Sequence, residues 1–328
     1  MKPFSYVRAT EKDTAIQTVA GDRAAKFIAG GTNLIDLMKG GVAQPDQLVD
    51  ITRLPLADVT AISNGLRIGA MARNSDVANN RLVRDRYPLL SQALLAGASP
   101  QLRNMATVGG NLMQRTRCYY FNDSAMPCNK REPGSGCSAI EGYNRIHAIF
   151  GASEQCIATH PSDMCVALAA LDAVVRVEGP NGERQIPISD FHRLPEDTPQ
   201  IDTVLQHDEL IVAVDLPNSP FAERSHYLKV RDRASYAFAL VSVAAALDIN
   251  NGTIKAARVA MGGVAHKPWR AVAAENILVG AKANEQTFTA AAEATIREAQ
   301  PQKYNRFKVE MAKRAIARAL TKAAGGTA

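Results

Sequence analysis

Four cysteines, Cys118, Cys128, Cys137 and Cys156, share one irregular stretch and are separated by 9, 8 and 18 residues. Four thiolates commonly hold an iron–sulfur cluster, and a loop without regular structure can wrap one. Pro127, Pro133, Gly134 and Gly136 provide the sharp turns that wrapping needs, and Lys130 and Arg131 would offset part of a thiolate cluster's negative charge. Zinc also accepts four thiolates, but structural zinc sites usually use closely spaced cysteine pairs, and none occurs here. Two disulfides would use the same residues in an oxidising compartment. The spacing matches no short ferredoxin-type motif, so spacing alone leaves cluster, zinc and disulfides open. The fifth cysteine, Cys165, sits among apolar residues of an expected helix and reads as a small buried side chain.

A second set of residues suits an anionic ligand. Lys26-Phe27-Ile28-Ala29-Gly30-Gly31-Thr32-Asn33-Leu34 is an apolar run, paired glycines, then Thr-Asn before an amphipathic start. It reads as strand, tight turn and helix N-terminus. Paired glycines let a ligand approach the main chain, and the amides beyond them with the Thr32 hydroxyl form an anion-binding nest. A turn without a ligand has the same signature. Thr107-Val108-Gly109-Gly110-Asn111 reuses these ingredients in another order. Two such turns can face a diphosphate from opposite sides.

The elements that must position these residues follow from the rest of the chain. At 328 residues, with 46% hydrophobic and 21% charged residues, the chain builds a sizeable core and is expected to hold two domains. Strands are expected over 4–7, 27–29, 47–51, 66–70, 173–178, 185–188 and 210–216. Helices are expected over 11–20, 33–39, 88–96 and 163–171, with Ser75-Asp76 capping another. Residues 217–220, Pro-Asn-Ser-Pro, are the best linker. Beyond it come a strand over 227–230, a hairpin over 238–249 and 254–261 turning at Asn251-Gly252, and alanine-rich helices over 271–279, 286–298 and 304–322. Strands followed by helices suggest an α+β unit. The net charge of +6 is spread along the chain. Arg81, Arg84 and Arg86, and likewise Lys303, Arg306, Lys308, Lys313, Arg314 and Arg318, read as solvated helix faces. No basic run alternates with aromatics, which argues against nucleic-acid binding. No apolar run reaches the length of a membrane span, and no export signal is visible.

With both glycine turns and the cysteine loop in place, the chain resembles the flavin-binding subunits of the molybdenum hydroxylases, the xanthine dehydrogenase and carbon monoxide dehydrogenase family. Within that family it is most similar to the bacterial periplasmic aldehyde-oxidising type. The resemblance spans essentially the whole chain and rests on residues 27–34, 107–111, the four-cysteine insertion, 158–163 and 229–239. It implies an α+β protein. A two-subdomain FAD-binding fold of the PCMH type over 1–220, with an insertion at 114–157, precedes a smaller C-terminal α+β domain over 221–328. It implies an oxidoreductase subunit. A large molybdenum-cofactor subunit oxidises aldehydes to carboxylic acids, a small subunit carries two [2Fe–2S] clusters, and this chain passes electrons through FAD to an external acceptor.

Carried over residue by residue, the resemblance places the FAD diphosphate between Lys26–Leu34 and Thr107, Gly110 and Asn111. Asp163 becomes the flavin-site acid, with a helix N-cap as its ordinary reading. Lys229 lies near the isoalloxazine ring, where a cation favours reduced, anionic flavin; otherwise it is an exposed strand lysine. Ile211 is an apolar ring contact, or core. His160 lies beside the site in a structural role. The insertion resembles a segment that binds a [4Fe–4S] cluster, which raises that reading for Cys118, Cys128, Cys137 and Cys156 above zinc or disulfides. No Rossmann or Walker fingerprint is present, and no catalytic acid–base pair is needed in this chain. Two other readings are a self-sufficient flavin oxidase and a zinc-holding scaffold that docks a partner. The resemblance favours a periplasmic location by co-export with a signal-bearing subunit; a cytoplasmic protein would have the same sequence.

Overall fold

The structure is a computed structural model and describes residues 1–327. Three sheets organise it. The first contains β1 (Ser5–Arg8), β2 (Ala25–Ile28) and β3 (Gln47–Asp50), all parallel, in the order β1-β3-β2. The second is antiparallel, in the order β4-β5-β8-β6-β7, built from β4 (Val59–Ile62), β5 (Gly65–Gly69), β6 (Val174–Gly179), β7 (Gly182–Pro187) and β8 (Leu210–Pro217). The third, also antiparallel, contains β9 (Ser225–Val230), β10 (Val241–Asn250), β11 (Thr253–Gly262) and β12 (Trp269–Arg270), in the order β12-β11-β10-β9.

Strand β8 joins the first two layers by presenting one face to each. Leu210 and Val212 pack with Ile16, Val19 and Val49 of the first layer. Ile211, Val214 and Leu216 face the opposite way, into the core beneath helices Pro88–Ala96 and Asp163–Ala170. Successive strand side chains point to opposite faces, and a register shift against β6 leaves Val212 as an extra residue between Ile211 and Ala213, which brings Val214 and Leu216 onto the face of Ile211. The β10–β11 hairpin is buried on both faces by the same rule. Val241, Val243, Ala245 and Leu247 meet the C-terminal helices, whereas Ala244 and Ala246 meet the helices of the larger core. A register shift between Asp248 and Ile249 leaves Lys255 without a cross-strand residue, so Ile254 and Ala257 stay on one face. Asn251 and Gly252 turn the hairpin with φ of 49° and 75°, the geometry that Asn-Gly suits.

Several local expectations shift. Ser75-Asp76 does not cap a helix: the helix begins at Asn74, its N-cap Arg73 makes no side-chain cap, and the Ser75 hydroxyl bonds Asn104 instead. Helix Asp163–Ala170 is capped by Ser162, whose Oγ accepts from the Cys165 amide, so Asp163 is its first residue and not its cap. Strand β10 starts at Val241 rather than 238. Lys308 does not lie on a solvated face. It is fully buried in helix Phe307–Ala323, and its Nζ donates to the carbonyls of His147 (2.8 Å), Gly263 (2.5 Å) and Ile146 (3.4 Å). Burial lowers its pKa to about 7. No helix among the described residues is long and apolar enough to cross a membrane.

The irregular stretch around the cysteines contains only the short helical turns Tyr119–Asn122 and Ser138–Glu141. It carries its own small core, in which Phe121, Ala139 and Ile157 pack with Leu37. Polar ties fasten it to both sides of the protein. Asn305 donates to the carbonyls of His147 and Ala148. Lys130, 2% exposed in its side chain, donates to the Pro199 carbonyl (2.6 Å) and to Asp202 Oδ1 (2.5 Å). Arg115 Nε donates to the other Asp202 oxygen at 2.7 Å. Burial alone would raise the Asp202 pKa, but the charges and hydrogen bonds of Arg115 and Lys130 outweigh it and hold it at about 2. A carboxylate held below its unfolded value of about 4 stabilises the fold above that pH and loses this as pH falls. Asp202→Asn leaves the buried Lys130 ammonium without its counter-ion and is expected to cost about 3 kcal/mol at pH 7, the low end for a buried pair because Asp202 is partly exposed. Denaturant unfolding checks this, and the gap from wild type is expected to shrink as pH falls from 4 towards 2.

Candidate cofactor-binding site

The two glycine turns meet. Strand β2 ends at Ile28, and Gly31 takes φ of +70°. A Cβ on Gly30 would lie 1.9 Å from the Met105 carbonyl oxygen, so the chains touch backbone to backbone. The second turn hangs on the end of β5: the Val108 amide donates to the Ala72 carbonyl and the Gly109 amide to Ala70. Thr107 caps helix Val108–Leu112 by accepting from the Gly110 amide at 3.2 Å.

Between the turns opens a cavity of about 560 Å³, within the usual size for a cofactor site. All nine residues from Lys26 to Leu34 line it, as do Thr107, Gly110 and Ile211. Ile211 also belongs to the core. The walls are rich in unmet polar atoms: Asn33 Nδ2, His160 Nε2, His192 Nδ1 and Gln200 Oε1 are buried without a hydrogen-bond partner. Such groups are rare unless something satisfies them. Lys26 is part of the wall, and burial followed by the charge of Arg115 lowers its pKa. Burial also keeps His160 well below its ordinary pKa and His192 at about 4, so both rings are neutral near pH 7. His192 Nε2 donates to the Leu112 carbonyl at 2.9 Å, which leaves Nδ1 as a bare acceptor. The cavity is therefore a cleft with mostly apolar walls that carries a cation and several unpartnered polar atoms beside exposed main chain.

Three expected contacts lie off this lining. Asn111 Oδ1 accepts from Ser162 Oγ at 2.7 Å. The neighbouring Asp163 accepts from Tyr227 (2.7 Å) and from Lys229 Nζ (2.7 Å), and Lys229 also donates to the Ala96 carbonyl. Asp163 and Lys229 are 8% and 4% exposed in their side chains, so Lys229 is not an exposed strand lysine but half of a buried ion pair. Asn111, Asp163 and Lys229 thus form a polar chain that adjoins the second glycine turn. Composition and spacing gave no hint of His192, Gln200, Asp202 or His266 in the cavity wall, because the first three come from the irregular 192–209 connection and His266 from the turn between β11 and β12.

The four loop cysteines share one small core and form no disulfide. Cys128 and Cys137 face each other in an antiparallel bridge. The Cys156 thiol donates to Cys137, and this outweighs burial to lower the Cys137 pKa to about 6. Burial raises Cys118 to about 11. Two histidines touch the set: His147 Nε2 lies 3.1 Å from Cys118 Sγ, and His266 Nε2 lies 3.3 Å from Cys156 Sγ. His266 and Lys130 also line the large cavity, so the two sites share walls. Cys165 is fully buried in helix Asp163–Ala170, and burial pushes its thiol up to about 12.

Residues 2–219 match the model of the FAD binding domain in molybdopterin dehydrogenase, and residues 226–324 match the CO dehydrogenase flavoprotein C-terminal domain. The chain is 52% identical to the aldehyde oxidoreductase FAD-binding subunit PaoB of Escherichia coli K12, over 98% of this chain and 99% of that one. It is 30% identical to the glyceraldehyde dehydrogenase medium chain of Sulfolobus acidocaldarius, over 86% and 83%. Among solved structures, a carbon monoxide dehydrogenase chain from Hydrogenophaga pseudoflava superposes with a TM-score of 0.78 at 27% identity, covering 99% of both chains. With its two matched domains, its whole-chain similarity and its cavity between glycine turns, this chain belongs to the FAD-binding subunits of the molybdenum hydroxylase family.

Proposed function

We propose that this chain is the electron-transfer subunit of an aldehyde-oxidising molybdenum enzyme, and that it joins a [4Fe–4S] cluster on Cys118, Cys128, Cys137 and Cys156 to FAD in the large cavity. The observation that carries this reading is the shared wall: His266 and Lys130 belong to the cavity lining and also border the cysteine site. The aldehyde class rests on the 52% identical relative.

The residues suit both groups. The diphosphate belongs between residues 26–34 and 107–111, where Gly30 leaves no room for a side chain and Lys26 supplies charge. Neutral His160 and His192 offer unpartnered nitrogens to the cofactor's polar atoms. The Asp163–Lys229 pair sits where it can orient the polar part of the flavin through Ser162 and Asn111. Bound FAD exchanges one or two electrons, which suits it to join one-electron carriers to a two-electron acceptor. At the cysteines, a single zinc fits poorly. Tetrahedral Zn–S bonds near 2.3 Å hold sulfurs about 3.8 Å apart, and among the described residues these cysteines form no set of three or more whose sulfurs all lie within 4.8 Å of one another. A wider multi-iron cluster accommodates that spread.

On this reading residues 1–220 form the flavin domain with its insertion at 114–157, and 221–328 form the C-terminal domain. The other subunits are a large molybdenum-cofactor chain and a small [2Fe–2S] chain, and an external acceptor takes the electrons. The location is periplasmic through co-export, a placement that rests on resemblance and that cell fractionation with the intact operon tests directly.

Two variants test the cofactor sites. Gly30→Ala drives a methyl group into the Met105 carbonyl, so FAD content in the purified protein is expected to fall at least tenfold, read from flavin absorbance per chain; full flavin loading would remove the diphosphate from this turn. Anaerobically purified wild type is expected to hold about four irons per chain in this loop, as one [4Fe–4S] cluster requires. Cys128→Ser is expected to lose them with the broad cluster absorbance, and unchanged iron would sink the assignment.

A further inference from the structure

Two of the four cysteine sulfurs are contacted by buried imidazole nitrogens. His147 Nε2 lies 3.1 Å from Cys118 Sγ, and His266 Nε2 lies 3.3 Å from Cys156 Sγ. The two residues are 1% and 8% exposed, and Nδ1 of each has no protein hydrogen-bond partner. Both are held from elsewhere in the fold. The His147 carbonyl accepts from Lys308 Nζ and from Asn305 Nδ2, so the C-terminal helix fixes its backbone. Next to His266, the Ala265 carbonyl accepts from the His160 amide at 2.9 Å.

Resting on the cluster reading above, we infer that His147 and His266 are positioning residues that donate N–H···S hydrogen bonds to Cys118 and Cys156 and thereby raise the reduction potential of the cluster. A thiolate bound to iron is an acceptor only. A nitrogen this close to it is attractive only when it carries the proton, which puts the hydrogen of each ring on Nε2. Reduction adds one electron to the cluster and makes its sulfurs better acceptors. Donors aimed at those sulfurs therefore stabilise the reduced form more than the oxidised form, and hydrogen bonds to the sulfurs are a known lever on such potentials. His266 has a second consequence. It stands between Cys156 and the cavity, so the donor on that ligand lies on the side from which FAD exchanges electrons.

The test uses the protein purified anaerobically with the subunits that accompany it. Iron per chain is measured first, then the cluster midpoint potential by EPR-monitored titration, for wild type, His147→Leu, His266→Leu and His266→Gln. Proton ENDOR of the reduced wild-type cluster before and after exchange into D₂O reads the hydrogen bonds directly. The expected result is exchangeable protons coupled to the wild-type cluster, a midpoint shifted to lower potential in each leucine variant, and recovery of most of that shift in His266→Gln, whose amide N–H replaces the donor. Iron retained with an unchanged midpoint, or a wild-type cluster without exchangeable proton couplings, overturns this inference and leaves the cluster reading intact. Should the leucine variants lose the cluster, the wild-type couplings and the glutamine variant decide. Wild type without iron in this loop overturns the cluster reading itself, and this inference with it.

Discussion

The structure depends on a contact between two backbones. The Cα of Gly30 stands so near the Met105 carbonyl that any side chain would occupy the same space. That contact brings the end of β2 against the segment hung from the end of β5, and so joins a parallel three-stranded layer to an antiparallel five-stranded one. The cavity is the gap left beside that contact. Its floor is main chain, which offers amides without side chains in the way.

Around this gap the protein has spent stability on buried charge. Lys130, Lys229 and Lys308 leave solvent and find partners, whereas Lys26 stays exposed at the cavity. Lys229 pairs with Asp163, Lys130 with Asp202, and Lys308 donates to three carbonyls. Lys26 instead has Arg115 as its neighbour, so its charge is left facing the cavity. Buried pairs add little net stability against an apolar core, yet they fix geometry strongly because breaking one is costly. Here they hold an irregular loop of more than forty residues, by the insertion's bounds, against two sheets and the C-terminal helix.

Much of the chemistry was readable before the fold. The paired glycines, the hydroxyl residues beside them and the crowding of cysteines are short-range signals, and the family resemblance followed from them. Most strands were also readable, since the apolar runs over β8 and β10 and the Asn251-Gly252 turn are local patterns. Lys308 and Lys229 were not readable. A lysine in an amphipathic helix or a half-exposed strand carries the same local pattern whether its ammonium meets water or a carbonyl.

The sequence by itself determined the ligand types, their order and the backbone freedom of the two turns, because these belong to residue type and to neighbours a few positions away. Only the tertiary structure decided that residues 26–34 and 107–110 face one cavity, that Asp163 and Lys229 pair beside it, and that His147 and His266 land on the cysteine sulfurs. Those contacts join residues 29 to 110 positions apart, and such distances are closed by packing of strands and helices whose own patterns say nothing about what their loops will meet.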